Sequence, residues 1–334
     1  MINSPLVSII IAAKNSEKTI EKSVQSVLNL QYKNFELILA NDGSSDSTGM
    51  LMNKYAVNKN VIVITTEGAG PSEARNAAVR KAAGDYIAFT DGDCIVDRFW
   101  IDELLKGFEM QMIASSGIAA VGGDQKSPED DTQFGKLVQG FMKSVGFVTG
   151  YVKSSAGSKD NKPKIYPVSH NPTCNVMYRK EIFNQHAGFL KGLWPGEDVE
   201  FDYRIKRSGY AIMYNPDAVV YHYRVNNIKK FVRMMVNYGK VQAVLVKMYG
   251  LFRKIHYVPV LLAVLALSLW VLYAYNPGLA ILLKLSAVLG VLLYFAVKEH
   301  KFDLTLKFFV LFFITLISWI AGFCIGIFTK IRTE

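Results

Sequence analysis

Two acids separated by one glycine, Asp91-Gly92-Asp93, close the apolar run Tyr86-Ile87-Ala88-Phe89-Thr90. The run reads as a buried strand with the acids at its C-terminal end. Side chains two apart on an extended chain point the same way, so both carboxylates can reach one point. At about 4–5 Å and an effective dielectric near 20, they repel by roughly 3–4 kcal/mol. A divalent cation removes that cost, and Mg²⁺ characteristically binds through one or two carboxylates plus substrate phosphates. The plain alternative is two solvated acids in a turn, since Asp-Gly is a common turn dipeptide. Two further acidic stretches accompany this one. Asn41-Asp42-Gly43-Ser44-Ser45-Asp46-Ser47-Thr48 follows an apolar run, and Glu197-Asp198 opens a helical pattern.

Strands and helices must bring these groups together. Leu6–Ala13, Phe35–Ala40, Val61–Thr65 and the run leading to Asp91 read as strands, with helical patterns between them. That alternation predicts βαβ units and a parallel sheet, whose ligands bind at the C-terminal strand ends. Ala12–Asn15, Asp42–Ser45 and Asp91–Asp93 are all such ends, so three loops meet at one crevice. Further on, a helix is expected over about Asp97–Ile113, strands over Ala119–Lys126, Thr173–Tyr178 and Ala218–Tyr223, and helices from Lys180 and Gly196. The pattern blurs from Ser127 to Lys164. Ser154–Lys164, polar and rich in Ser, Gly and Lys, reads as a mobile loop, either a lid or a passive surface loop.

The formal net charge is +10, and its placement matters more than its size. Residues 226–334 hold 13 Lys and Arg against 3 Asp and Glu, which leaves 25 of each sign before them. A globular domain without a basic excess argues against nucleic acid as a partner. The basic third suits anionic lipid instead. The cysteines, Cys94, Cys174 and Cys324, are odd in number and far apart, with no CxxC. Neither a disulfide framework nor a zinc site is supported, and a reducing compartment fits. The chain opens directly into a strand-like run and reads as having no cleavable signal peptide.

Asn226–Leu251 forms an amphipathic pattern: Lys229, Lys230, Arg233, Asn237, Lys240 and Lys247 on one side, Phe231, Met234, Met235, Tyr238, Val241, Leu245 and Tyr249 on the other. From Lys229 to Lys254 there are seven basic residues and no acid. This predicts a helix lying in a membrane interface, with a packing helix as the alternative. Val258–Tyr275, Leu279–Val297 and Thr305–Phe328 are apolar runs long enough to span a bilayer. Aromatic residues such as Trp270, Tyr275 and Tyr294 lie towards their ends. Lys284 either snorkels or faces a lipid phosphate. Basic flanks place the first 225 residues in the cytoplasm of a multi-pass cell-membrane protein, although Lys330 and Arg332 would then end outside. The expected divisions are 1–225, 226–256 and 257–334.

The first roughly 225 residues resemble the membrane-bound family 2 glycosyltransferases of GT-A fold. The likeness rests on the strand ending near Ala12-Lys14-Asn15, the Asp42-Gly-Ser-Ser-Asp-Ser-Thr stretch, Ala74-Arg75-Asn76, Asp91-Gly92-Asp93 and Glu197-Asp198, in this order. The resemblance implies an α/β fold, a Rossmann-like mixed sheet with helices on both faces. It implies that Ala12, Asn15, Asp42, Arg75, Asp91 and Asp93 bind the nucleotide sugar, with Asp42 on a base that is typically uracil. Asp91 and Asp93, with His222 as a third ligand or as a structural histidine, would hold Mg²⁺ or Mn²⁺. Asp198 would be the general base of an inverting transfer, and Glu197, Thr173 and Asn175 would line the acceptor site. Taken singly, Asp42 reads equally as a turn residue, Arg75 as a surface cation, and Glu197 and Asp198 as favourable charges at a helix N-terminus. The implied acceptor is a lipid-linked saccharide. A polyprenyl phosphate is the alternative, and a non-catalytic nucleotide-sugar-binding scaffold or a transporter component are lesser ones. Lys229-Lys230-Phe231-Val232-Arg233-Met234 stands where processive members carry Gln-x-x-Arg-Trp, which counts against a polymerase.

Overall fold

The chain is described by a computed structural model over residues 4–110, 117–146 and 165–330. It divides into two compact units, one up to Arg224 and one from Val225 to Ile331. The first unit runs β1 (Val7–Ala13), α1 (Ile20–Leu28), β2 (Phe35–Asn41), α2 (Thr48–Asn53), β3 (Val61–Thr65), α3 (Pro71–Val79), β4 (Tyr86–Asp91) and β5 (Cys94–Val96). It continues with α4 (Trp100–Phe108), β6 (Ile118–Lys126), α5 (Gln133–Ser144), β7 (Tyr166–Pro167), β8 (Val176–Arg179), α6 (Lys180–Gln185), α7 (Glu197–Arg207) and β9 (Ala211–His222).

These strands form one mixed sheet in the order β3-β2-β1-β4-β8-β6-β9-β5, with β7 on β9. The first four are parallel; β8 runs antiparallel to both β4 and β6. The parallel half is buried on both faces, which is why its strands are continuous apolar runs. Alternate residues part to opposite faces. Ile9, Ile11, Leu37 and Leu39 pack with Val24, Val27, Trp100 and Leu104 on one side. On the other, Ile10, Ile38 and Phe89 pack with Ala74, Ala78, Phe183, Phe189 and Phe201. The register levels the strand ends: Ala12 lies opposite Ala40 and Asp91, and Asn41 opposite Thr65.

Several expected boundaries move. The helix expected to Ile113 ends at Phe108, and Gln111–Ile113 lie outside the described residues. Within the stretch where the pattern blurred, α5 forms on a Thr132 cap that accepts from Gly135 N at 2.9 Å. The expected Ser154–Lys164 loop lies outside the described residues. The strand expected from Thr173 begins at Val176. The late strand begins at Ala211, seven residues early, because its pairing with β6 skips from Asn215 to Val219. That bulge carries Pro216, which cannot donate to a ladder and so hides the strand from a pattern search.

The second unit holds α8 (Ile228–Tyr249), α9 (Val258–Tyr275), α10 (Pro277–Glu299) and α11 (Phe302–Phe328). The last three helices are long and apolar enough to cross a membrane. The Lys284 ammonium stands 5.6 Å from the centre of the Tyr273 ring. The basic helix α8 forms where expected, and α11 packs on a flank of it that carries Val236, Gly239 and Ala243, with the Lys247 ammonium donating to Ile327 O at 3.0 Å. A Cβ on Gly322 would lie 2.0 Å from Val236 O, and one on Gly239 1.9 Å from Trp319 O, so the two backbones touch. Gly322→Leu is therefore expected to lower the unfolding temperature of the detergent-solubilised protein, overpacking costing about 1–3 kcal/mol. Gly290→Leu, on α10 where a Cβ meets nothing within 4 Å, is the neutral control.

Candidate active site

The level strand ends gather the acidic stretches at one rim of the sheet. Asp42 follows β2 and is 2% exposed. Its Oδ1 accepts from Thr66 Oγ1 at 3.1 Å and from Gly70 N at 3.2 Å, while Lys14 Nζ lies 3.9 Å from Oδ2. Ala12 is buried in β1. Asn15, at a φ of 52°, ties the first loop to the second: Ser45 N donates to its Oδ1 at 2.9 Å, and its own N donates to Ser44 Oγ at 3.1 Å.

Arg75 is the hub of the rim. It projects from α3, is 3% exposed, and donates through Nη2 to Asp91 Oδ1 and through Nη1 to Glu197 Oε1, both at 2.6 Å. These are short, charge-assisted bonds. They join the end of β4 to the start of α7. The surface-cation alternative for Arg75 is excluded. Arg75 Nε is buried and has no hydrogen-bond partner among the described residues.

Glu197 is 2% exposed, and its Oε2 accepts from Gly196 N at 3.0 Å. Burial first, then the neighbouring Asp198 charge, raises the Glu197 carboxyl to about 7 against the pull of Arg75. Asp198, next in α7, stays partly exposed. Its Oδ1 accepts from Val199 N at 2.8 Å and its Oδ2 from Thr173 N at 3.3 Å. Thr173 thus meets this site through its backbone.

Asn175, expected beside the acceptor, does not face it. It is fully buried, donates to Asp124 O at 2.8 Å and Ala218 O at 2.9 Å, and accepts from Trp100 Nε1 at 2.8 Å. Its amide fills the gap that the β6–β9 bulge opens between those two carbonyls.

Asp91 and Asp93 do converge: their carboxylate oxygens and the Cys94 sulfur lie within 4.8 Å of one another. Asp93 is half-exposed, and its Oδ1 stands 3.5 Å from His222 Nε2. The β5–β9 ladder pairs Cys94 directly with His222. Burial and Arg224 act to lower the His222 imidazole, but Asp93 and the Cys174 thiol hold it up at about 10. The ligand atoms of Cys94, Cys174 and His222 also lie within 4.8 Å of one another. Two of the three cysteines, read in the sequence as too scattered for a metal site, are brought together by the fold.

Three groups escaped the sequence reading. Asp202, one turn after Asp198, is fully buried and accepts from Asn171 N at 2.9 Å and Tyr178 Oη at 2.8 Å. His170 bridges the two acids, with Nδ1 3.1 Å from Asp202 Oδ2 and Nε2 3.8 Å from Asp198 Oδ2. The i, i+4 spacing of the two acids was the available signal; nothing marked His170. Trp194, three residues before Glu197, is 58% exposed. Its loop is fastened to α3, where Ser72 Oγ donates to Leu193 O at 3.1 Å.

An α/β sheet with this strand order, this rim of acids and apolar helices after it defines a GT-A glycosyltransferase. The glycosyl transferase family 2 profile matches residues 8–187, more than half of the chain, so the chain belongs to glycosyltransferase family 2. It is similar to the glycosyltransferase AglE of Haloferax volcanii, 26% identical over 280 residues and covering 82% of each chain. It is also similar to the UDP-Glc:alpha-D-GlcNAc-diphosphoundecaprenol beta-1,3-glucosyltransferase WfgD of Escherichia coli. The identity there is 33% over 133 residues, 40% of this chain and 51% of that protein. Among solved structures, the mannosyltransferase PcManGT of Pyrobaculum calidifontis in complex with GDP-Man and Mn²⁺ superposes with a TM-score of 0.67. It covers 98% of this chain and 88% of its own at 16% identity, a likeness of fold.

The Glu197 environment gives a pH prediction. Its carboxyl is raised in the folded state, so its neutral form is favourable at low pH and that stability is lost as pH rises through about 7. The stability of the wild type minus that of Glu197→Gln is expected to fall between about pH 4.5 and pH 7 in thermal unfolding. A flat difference would show that burial does not govern this group.

Proposed function

We propose that the protein is an inverting glycosyltransferase that moves one sugar from a nucleotide sugar, a UDP-sugar in this reading, to a lipid-linked saccharide at the cytoplasmic face of the cell membrane. The observation that carries this is the Arg75 bridge, which links the Asp91 carboxylate of the donor rim to the Glu197-Asp198 pair. The similarity to WfgD, whose name specifies a UDP-sugar donor and a diphosphoundecaprenol-linked acceptor, favours the same classes here. The three long apolar helices favour an acceptor that resides in the membrane. Anchoring there replaces a search through the cell volume by a search over a surface.

Asp42 and the Asn15-braced loop take the base. Asp91 and Asp93 suit a hard divalent cation, since they offer converging carboxylate oxygens and Asp93 is open to solvent. A cation held there, Mg²⁺ or Mn²⁺, would neutralise the charge that develops on the departing diphosphate. His222, with Nε2 3.5 Å from Asp93 Oδ1, would be the third ligand. Arg75 orients Asp91 and Glu197 and adds its positive charge beside the donor.

Asp198 removes the proton of the acceptor hydroxyl as that oxygen bonds to the anomeric carbon. The bond from that carbon to the nucleoside diphosphate breaks on the opposite side, which inverts the configuration. The backbone donors of Thr173 and Val199 hold the Asp198 carboxylate in place. His170, held by Asp202, is a positioning residue behind it. Glu197 and exposed Trp194 shape the acceptor subsite, the indole offering an apolar face to a sugar ring.

The test is transfer of labelled sugar from a panel of nucleotide sugars into the organic-extractable fraction of membranes. Chelator and Asp93→Ala are each expected to abolish incorporation. Asp198→Asn is expected to lower it about 10²–10⁴-fold, with the protein still folded. Near-wild-type turnover by Asp198→Asn would sink the base assignment. Paired with loss in Asp93→Ala, it would identify a phosphate acceptor, which is already anionic. Asp202→Asn is expected to lower kcat and alter the acid limb of the pH–rate profile while leaving donor KM unchanged.

A further inference from the structure

The transfer chemistry uses hard oxygen ligands and leaves two buried thiols unexplained. Cys94 and Cys174 are 0% and 4% exposed, and both are free. They come from distant parts of the chain, Cys94 from the start of β5 and Cys174 from the turn before β8. Packing alone asks only that they be small and apolar, yet they converge on an imidazole. The ligand atoms of Cys94, Cys174 and His222 lie within 4.8 Å of one another.

Asp93 stands beside two of these three groups. Asp93 Oδ1 lies 3.5 Å from His222 Nε2 and 3.8 Å from Cys94 Sγ. In tetrahedral zinc, Zn–S near 2.3 Å and Zn–N or Zn–O near 2.0 Å set neighbouring ligand atoms about 3.3–3.8 Å apart. The separations of Asp93 Oδ1 from His222 and Cys94 are near that spacing, so its carboxylate could complete the set from their side. The imidazole also has an outer partner. His222 Nδ1 lies 3.5 Å from Gln125 Oε1, which Arg224 Nη2 holds at 2.7 Å. A side-chain acceptor on the far ring nitrogen is the usual way a ligating histidine is oriented.

We propose that Cys94, Cys174, His222 and Asp93 form a site for a thiophilic divalent cation such as Zn²⁺, distinct in ligand type from the carboxylate site but sharing Asp93 and His222 with it. The cysteines bind as thiolates, their protons passing to solvent. Soft sulfur ligands select zinc over Mg²⁺ and Mn²⁺. Because the two sites share ligands, occupation of the sulfur site withdraws Asp93 and His222 from the donor's cation and inhibits transfer. This last consequence rests on the function proposed above; the binding does not.

The test uses the full-length protein in detergent, in a Cys324→Ser background that leaves only the two clustered thiols. Titration with Co²⁺ is expected to give a thiolate-to-cobalt charge-transfer band in the near ultraviolet, bleached by added Zn²⁺, weakened in Cys174→Ser, which keeps the Cys94 thiolate, and absent when Cys94→Ser and Cys174→Ser are combined. X-ray absorption of the zinc-loaded protein is expected to show sulfur scatterers at about 2.3 Å; it needs no further variant and so stands even if Cys174→Ser does not fold. No charge-transfer band, a band of full strength in Cys174→Ser or one that survives the combined Cys94→Ser and Cys174→Ser variant, or a zinc shell of oxygen and nitrogen alone overturns the proposal. In the transfer assay, micromolar Zn²⁺ is expected to inhibit the Cys324→Ser protein at least tenfold more strongly than Cys174→Ser. Equal inhibition of the two overturns the regulatory part. A cobalt band in a protein that transfers no sugar would leave the site standing and fail the function reading instead.

Discussion

A guanidinium shut away from water between two carboxylates is the constraint on which the rest of this rim depends. Arg75 meets Asp91 and Glu197 at 2.6 Å each. Buried charges of this kind add little net stability relative to an apolar trio, but the loss of one partner strands the others. The arrangement therefore fixes geometry more than it stabilises the fold. Its neighbours on α3 reinforce it. Asn76 exchanges two hydrogen bonds with the Phe189 backbone, at 2.7 and 3.0 Å, and Ser72 holds Leu193. One short helix thus braces the whole segment that delivers Glu197 and Asp198. The Ala74-Arg75-Asn76 stretch thus ties α3 to the end of β4 and to the segment around the start of α7.

Behind that brace, the polar groups are graded by exposure. Asp93 and Asp198 keep open oxygens, whereas Asp202 and Glu197 are sealed. Burial raises both sealed carboxyls above their ordinary values. The open acids keep oxygens towards solvent, and the sealed ones are held by their neighbours. The same grading separates Asn175 from its neighbour Thr173: one is consumed by a sheet bulge, the other offers its N–H to Asp198.

In the second unit the helices were legible and their packing was not. Length and hydropathy alone define α9, α10 and α11. The pairing of α8 with α11 depends on Gly239, Gly322 and Gly326, where backbone lies against backbone. A glycine in an apolar helix carries no mark of its partner, so this contact appears only when both helices are in place. α11 takes the flank of α8 that carries Gly239 and Ala243, and Lys247 of the basic face donates to Ile327 O at 3.0 Å.

The sequence by itself determined the parallel half of the sheet, the loops at its rim and the apolar helices, because periodicity, turn chemistry and run length are local properties. It also marked Asp42, Asp91, Asp93, Glu197 and Asp198, since acids at strand ends and helix starts stand out against an apolar background. Tertiary structure alone decided which of them meet and which neighbours they acquire. Arg75 as a bridge, His170 between two acids, and Cys94 beside Cys174 and His222 all join residues far apart in the chain. Such contacts are set by strand order and register, through the bulge in β9 and the antiparallel turn of β8, and no window along the sequence contains them.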